Sequence, residues 1–477
     1  MRSIDTAYID GAFVPVKGSD VLDIINPASE ERIGTLRLGS RSDASRAISA
    51  ACRAQTALSR STKAERLDML KSLQRAILKR SDAIRDVTIE EYGAPISRAR
   101  WISQYASDCF GFAAEALEGY QFCRRIGDAD VIMEPVGVSA LIAPWNAAAG
   151  TICSKLASAL AAGCATVIKP SELSGLQAQV VAEALHAAGL PAGTFNIVNG
   201  RGDDVGDELS TNPGVARISF TGSTTTGKMI ARAATETMKR VSLSLSGKSA
   251  AILLDDSEFA EAVPLALNAG FQNNGQACIA GTRLLVPRDR MDEVDSIVRS
   301  TMANLKVGDP SGPETVIGPL ANAAQYDRIQ RFIARGIEQG AIPIAGGLGR
   351  PEGLGRGYFV RPTVFRDVSN DMDIARQEIF GPVLSIIPYR DEDDAVEIAN
   401  DSIYGLQAYI YSTSPERARN VADRLFAGTV LINRTTPDLR APFGGVKQSG
   451  IGREFGVYGL ESFLEAKSIV EETVPAP

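Results

Sequence analysis

The pattern of apolar and polar positions changes character along the chain. Residues 1–40 alternate short apolar runs with turns, as at Tyr8-Ile9-Asp10-Gly11, and predict a strand-rich lead-in. From Ser42 to about Glu118, Ala, Leu, Ile and Arg recur at helical spacing. Residues 119–135 are mixed and predict an excursion from the main body. Strands are then expected over 136–142, 165–169, 195–198, 216–220 and 241–245, separated by helices that include 151–162, 175–188 and 224–235. Strands that alternate with helices imply a parallel sheet with βαβ crossovers. Such sheets bind ligands beyond the carboxyl ends of their strands. After Leu254 the alternation resumes, with helices over 258–273 and 291–305 and strands over 282–286, 384–388 and 408–411. This predicts a second α/β lobe. There is no internal repeat and no low-complexity linker, so the two lobes are expected to pack tightly.

Composition narrows the function classes. The 477 residues are enough for about three domains or lobes. Lys and Arg number 50 against 57 Asp and Glu, a net charge of -7 that offers no basic excess for a phosphate backbone. Nucleic acid is therefore not expected as a partner. The one histidine, His186, excludes a His-rich metal site. Its place just before Gly189 and Pro191 reads as a helix C-terminus. Chemistry must run on Cys, Lys, Glu, Asp, Ser or backbone groups. The six cysteines (Cys52, Cys109, Cys123, Cys153, Cys164 and Cys278) form no Cys-x-x-Cys and no disulfide frame, which fits a reducing compartment. The N-terminal Met1-Arg2-Ser3-Ile4-Asp5 has no apolar signal stretch, and no run reaches a membrane span. The expectation is a soluble cytoplasmic protein without a membrane partner.

Several segments carry candidate chemistry. Phe220-Thr221-Gly222-Ser223-Thr224-Thr225-Thr226-Gly227-Lys228 reads as strand, Gly-and-hydroxyl loop and helix start. Backbone N–H groups and the helix dipole at such a turn attract phosphate. The spacing nearly matches a P-loop, but Met229 stands where a magnesium-holding Ser or Thr is needed, which argues against an NTPase. A plain tight turn remains the alternative to a dinucleotide site. Gly200-Arg201-Gly202-x3-Gly206 misses the dinucleotide spacing by one residue and fits a turn or a cofactor contact equally well. In Lys169-Pro170-Ser171-Glu172, the Lys and Glu can bond ribose hydroxyls at a strand edge, or form a surface ion pair with a helix cap. Cys278, in Asn273-Asn274-Gly275-Gln276-Ala277-Cys278-Ile279, is a candidate nucleophile or an inert buried thiol. Asn146, in Pro144-Trp145-Asn146, can offer its amide to an oxyanion or simply shape a turn. The runs Glu378-Ile379-Phe380-Gly381-Pro382 and Pro442-Phe443-Gly444-Gly445 to Arg453-Glu454 read as irregular loops.

Taken together and in this order, these segments resemble the aldehyde dehydrogenase superfamily, from about residue 8 to 470. The resemblance implies NAD(P)-dependent oxidation of an aldehyde to a carboxylic acid. It implies an α/β fold with a Rossmann-like cofactor domain (1–118 and 136–246), an α/β catalytic domain (247–445) and a small β oligomerisation arm (119–135 and 460–477). By the same resemblance, Cys278 is the nucleophile that makes a thiohemiacetal and then a thioester, and Asn146 with the Cys278 N–H holds the oxyanion. Lys169 and Glu172 hold the adenosine ribose, and Gly222 and Ser223 the pyrophosphate. Glu378 holds the nicotinamide ribose, Phe380 positions the ring, and Ile142 and Trp145 complete the cleft. Glu172 favours NAD, because it would repel a 2'-phosphate, with NADP as the open alternative. Ala147, Thr151 and Ile279 are expected at the substrate, and a homodimer or homotetramer is implied.

Two departures matter. The family reads Glu-Leu-Gly-Gly-Lys where this chain reads Ser244-Leu245-Ser246-Gly247-Lys248, so the usual general base is replaced by Ser244. A hydroxyl has no useful basicity near neutral pH, and a general base typically contributes about 10²–10⁴-fold. Thioester hydrolysis is the step affected. Three readings follow: Glu454 and Lys155 relay the proton, coenzyme A takes the acyl group, or the chain is a catalytically impaired NAD-binding or scaffold protein. Second, the run Ala147-Ala148-Ala149-Gly150-Thr151 replaces bulkier groups of many relatives. It predicts a wide tunnel and a bulky or aromatic aldehyde.

Overall fold

The computed structural model describes residues 2–471. Glu472 and the rest of the expected arm segment 460–477 beyond it lie outside the described residues. The first large sheet has a parallel centre. Its strands run in the order Arg240–Ser244, Arg217–Thr221, Ser139–Ile142, Thr166–Lys169 and Phe195–Ile197. Antiparallel strands close both edges: Gly450–Ile451 on one, Thr6–Ile9 and Ala12–Pro15 on the other. The central strands are buried almost throughout, which is why they read as short continuous apolar runs and not as alternating ones. Helices Ala148–Ala162, Gly175–His186 and Thr224–Thr235 supply crossovers. The register pairs Ile142 with Lys169, Phe220 with Ile142, and Thr221 with Ser244. These residues therefore end up side by side along the carboxyl edge.

A second sheet of seven strands is parallel except at Ile342–Ala345. In its interior lies Ala250–Leu253, between Arg283–Pro287 and Gln407–Tyr411. This strand is not among those expected from the pattern. Its run Ala-Ala-Ile-Leu is brief, wholly buried and without alternation, so nothing in its periodicity separates it from a connection. The segment 245–249 carries the chain from strand Arg240–Ser244 of one large sheet to strand Ala250–Leu253 of the other. A smaller antiparallel sheet of Cys123–Ile126, Ala129–Pro135 and Leu464–Val470 stands apart from both, and the N-terminal region adds another with Arg2–Ile4, Val21–Asn26 and Glu31–Arg37. His186 ends its helix and packs edge-on against Tyr8 and Phe13. Among the described residues no helix is long and apolar enough to cross a membrane.

Candidate active site

The Cys278 loop is held by left-handed backbone. Helix Phe259–Phe271 runs into a turn in which Asn273, Asn274 and Gly275 take φ of 56°, 60° and 69°. Asn and Gly tolerate this region best, so the sequence Asn-Asn-Gly suits the turn. Asn274 fixes it by donating to the Gly93 and Pro319 carbonyls (3.0 and 2.9 Å) and accepting from the Gly318 N–H (2.7 Å). At Gly275 the chain presses on the Glu378–Phe380 loop, since a Cβ there would lie 2.2 Å from the Gly381 carbonyl carbon. Gln276 is fully buried; its carbonyl accepts from Asn146 Nδ2 (2.8 Å) and its amide donates to the Tyr92 hydroxyl (3.2 Å). Asn146 and Cys278 are thereby locked together.

Cys278 is half-exposed, whereas Cys109, Cys153 and Cys164 are buried in the core. The backbone N–H groups of Cys278 itself and Ile279 favour its charged form. Burial, with Glu378 and Glu454 adding to it, nevertheless pushes the thiol up to about 12.

Two adjoining clefts meet at Trp145, Gly222 and Ser223, and one of them is lined by Cys278. One, of 620 Å³, is lined by Ile142, Trp145, Lys169, Glu172, Gly202, Gly206, Gly222, Ser223 and Met229, among others. The other, of 390 Å³, is lined by Asn146, Ser244, Ser246, Cys278, Glu378, Phe380 and Tyr404. Trp145, Gly222 and Ser223 line both, so the sheet edge opens directly onto the cysteine. The residues fit a dinucleotide: Thr221 Oγ1 is buried without a partner, and Lys169 and Glu172 stand 3.6 Å apart at the rim. Burial pulls the Lys169 ammonium down and Glu172 partly offsets it. Ser223 caps helix Thr224–Thr235, accepting from the Thr226 N–H (3.2 Å). Phe380 is held at φ 63° and meets the Trp145 ring edge-on at 5.3 Å.

The segment 244–248 borders the cysteine cleft through Ser244, Leu245 and Ser246. Gly247 is required by contact, as a Cβ there would lie 2.2 Å from the Cys278 carbonyl oxygen. Its N–H donates to Glu378 (3.2 Å), and the Ser246 hydroxyl bonds the same carboxylate. Burial raises Glu378 in spite of these bonds. The Ser244 hydroxyl is buried without a partner, and so is the Lys248 ammonium, which burial and Arg283 bring down to about 7. Glu454 lies off the clefts, paired with the buried Lys155 and 3.4 Å from the Ser219 hydroxyl. Lys155 also donates to Ser219 (2.9 Å), and burial lowers its ammonium against the opposing pull of Glu454.

Ala147, Thr151 and Ile279 are half-exposed and line neither cleft. The small-residue run leaves less open space than its composition suggests. Ala148 and Ala149 are fully buried, and the space above Gly150 is filled by Tyr105, whose ring would stand 2.3 Å from a Cβ. Aromatic residues continue this side: Trp101 stacks on Tyr105 at 5.0 Å, and Phe455 (φ 69°) meets Tyr105 and Phe443.

Sequence reasoning missed Arg328, which donates to the Glu378 carbonyl at 2.6 Å, and Tyr92, which braces Gln276. Neither has a motif of its own. It also missed Asp203, Asp207 and Ser210 in the larger cleft, although the Gly-rich segment beginning at Gly200 marked their loop.

The chain matches the aldehyde dehydrogenase family over residues 13–469. It is 46% identical over 472 residues to a 3-succinoylsemialdehyde-pyridine dehydrogenase from Pseudomonas sp., covering 98% of this chain and 99% of that one. Among solved structures it resembles aldehyde dehydrogenase C from Pseudomonas syringae, a cysteine-to-alanine mutant bound to NAD+ and octanal (TM-score 0.97, 43% identity, 99% and 98% coverage). It also resembles betaine aldehyde dehydrogenase from Staphylococcus aureus in complex with NAD+ (TM-score 0.95, 35% identity, 99% and 95% coverage). The chain therefore belongs to the aldehyde dehydrogenase family, a family of oxidoreductases.

Proposed function

We propose that the protein oxidises a bulky, ring-bearing aldehyde to its carboxylic acid, with NAD as cofactor and Cys278 as nucleophile. The observation that carries this reading is the meeting of the sheet-edge cleft with the Cys278 loop at Trp145, Gly222 and Ser223. The NAD-complexed structures and a relative named for a pyridine-bearing semialdehyde support it.

Lys169 and Glu172 would hold the adenosine ribose, Gly222 and Ser223 the pyrophosphate, and Glu378 the nicotinamide ribose, with Phe380 against the ring. Bound there, NAD supplies the acceptor for the aldehyde's hydride. The Cys278 sulfur adds to the carbonyl carbon, and its proton passes to water in the cleft. Asn146 and the Cys278 N–H donate to the oxyanion that forms, which is where preorganised donors act most strongly. Loss of hydride leaves a thioester on Cys278, and water then attacks it. Ser244 cannot take the proton from that water. Glu454, held by Lys155 and Ser219, takes it through an intervening water.

Rapid mixing with excess NAD and a bulky aromatic aldehyde tests this reading. The expected trace is a burst near one NADH per chain followed by steady turnover, with no burst in Cys278→Ala. A burst of equal size in Cys278→Ala would overturn it. The second reading, in which coenzyme A accepts the acyl group, is favoured by the partnerless Ser244 hydroxyl at the position of the expected base. It predicts a stall after the burst that coenzyme A relieves. An absence of NAD binding by calorimetry would favour the scaffold reading instead. We also propose self-association through the strand Cys123–Ile126, an exposed edge ending in Ile126.

A further inference from the structure

One cation on the substrate side has no assigned work. Arg98 lies in the first turn of helix Ile96–Gly119, and its guanidinium sits 4.0 Å from the centre of the Trp101 ring. Trp101 in turn stacks on Tyr105, with planes 22° apart. Stacking occupies a face of the guanidinium and leaves its N–H edge to be satisfied. Arg98 Nε is buried and has no hydrogen-bond partner, and no carboxylate features among the charges that act on the group. The neighbours that act on it are Tyr92, Tyr105, Tyr409 and Cys278. Tyr92 braces Gln276 beside Cys278, and Tyr409 donates to the Ile279 carbonyl at 2.8 Å. Arg98 thus sits one ring beyond Tyr105, which packs over Gly150 in the helix that follows Asn146.

We propose that Arg98 binds a carboxylate carried by the aldehyde substrate, on a ring that packs among Trp101, Tyr105 and Phe455. The inference rests on the aldehyde-oxidising reading above and names its substrate class. A buried donor without a partner costs stability. An arginine fork meets a carboxylate with paired, charge-assisted hydrogen bonds, which relieve that cost only when substrate arrives. Burial brings the guanidinium down to about 10, so it keeps its charge at neutral pH. Among the described residues no acidic side chain is paired with it. A neutral aldehyde of the same shape would leave the guanidinium unpaired, and sites of this kind discriminate strongly against ligands that lack the matching group.

The test compares para-formylbenzoate with para-methylbenzaldehyde, in the wild type, Arg98→Gln and Arg98→Lys. In the wild type, kcat/KM should favour the carboxylated aldehyde at least tenfold. Arg98→Gln should reduce that ratio at least tenfold, mainly through KM, and Arg98→Lys should recover part of it. A wild-type ratio near one, or a ratio unchanged in Arg98→Gln, would overturn the proposal. Oxidation of both aldehydes at equal rates would leave aldehyde oxidation standing while removing this inference. If neither aldehyde yields NADH, binding decides the question. Terephthalate should quench tryptophan fluorescence of the wild type at concentrations at least tenfold lower than benzamide, and equal quenching would overturn the proposal.

Discussion

At the scale of single residues, the chemistry turns on who holds protons near Cys278. The thiol is held up to about 12 by burial and by two carboxylates, so in the free protein its thiolate is scarce at neutral pH. Below that value the thiolate fraction grows about tenfold per pH unit. Alkylation of Cys278 by iodoacetamide should therefore accelerate about tenfold per unit between pH 7 and 10, as followed by mass spectrometry; a flat profile would contradict the burial argument. Ser244 offers a second test. It lines the cleft beside Cys278 and its hydroxyl bonds nothing. Ser244→Glu places a carboxylate where the resemblance expects one, and deacylation should rise by about 10- to 100-fold if proton removal limits it. Glu454→Gln should slow the same step in the wild-type background, measured as steady-state NADH formation after the burst. Unchanged kinetics would remove Glu454 from the mechanism. Ser246 was visible in the sequence only as a departure; its bond to Glu378 is a tertiary fact.

At the scale of elements, the site is positioned by short junctions, and one of them contains a buried acid. Glu91 accepts the N–H groups of Leu176 and Gln177 at the start of helix Gly175–His186 (2.7 and 3.0 Å). That helix follows the Glu172–Ser174 turn at the rim of the larger cleft. Burial raises Glu91 to about 7 despite those bonds. Between the ordinary carboxylate value and about 7, the folded protein then holds a proton that the unfolded chain has released. Stability contributed by the protonated form is present at low pH and is lost as pH rises through this window. The thermal midpoint of the wild type should consequently fall more steeply from pH 5 to 8 than that of Glu91→Gln, by calorimetry. Equal slopes would show that the carboxyl is not held neutral. The same scale explains why junctions were hard to read. Lys169 and Glu172 were legible because a strand, Pro and helix cap follow one another in sequence. The strand Ala250–Leu253 was not, because burial on both faces erases its alternation.

At the scale of the whole molecule, a cofactor would join what two sheets contribute. Lys169, Glu172 and Ser223 come from the edge of the first sheet, while Glu378 and Phe380 come from a loop just before strand Val383–Tyr389 of the second. A ligand spanning them stabilises only the folded arrangement, by about 2.7 kcal/mol at a hundredfold excess over Kd. NAD should raise the thermal midpoint, and NADP at equal concentration should raise it less, because on the proposed reading Glu172 would repel a 2'-phosphate. An equal shift with both would remove Glu172 from cofactor choice. Sedimentation should show a dimer or larger assembly, and a monomer would dismiss pairing through the Cys123–Ile126 edge.

The sequence alone determined the alternation of strands and helices, the order of the Gly-rich and Cys-bearing loops, the missing carboxylate at position 244 and the exclusion of histidine chemistry. Each of these is local: a period, a spacing or a residue type present or absent. Tertiary structure decided what those residues meet. It placed Tyr105 in the space that Gly150 leaves open, bonded Ser246 to Glu378, and withdrew Glu454 to Lys155. It also left Arg98 unpaired near Cys278, some 180 positions away in the chain. Contacts between distant segments are set by how side chains fill a shared interior, and no local pattern encodes which partner arrives.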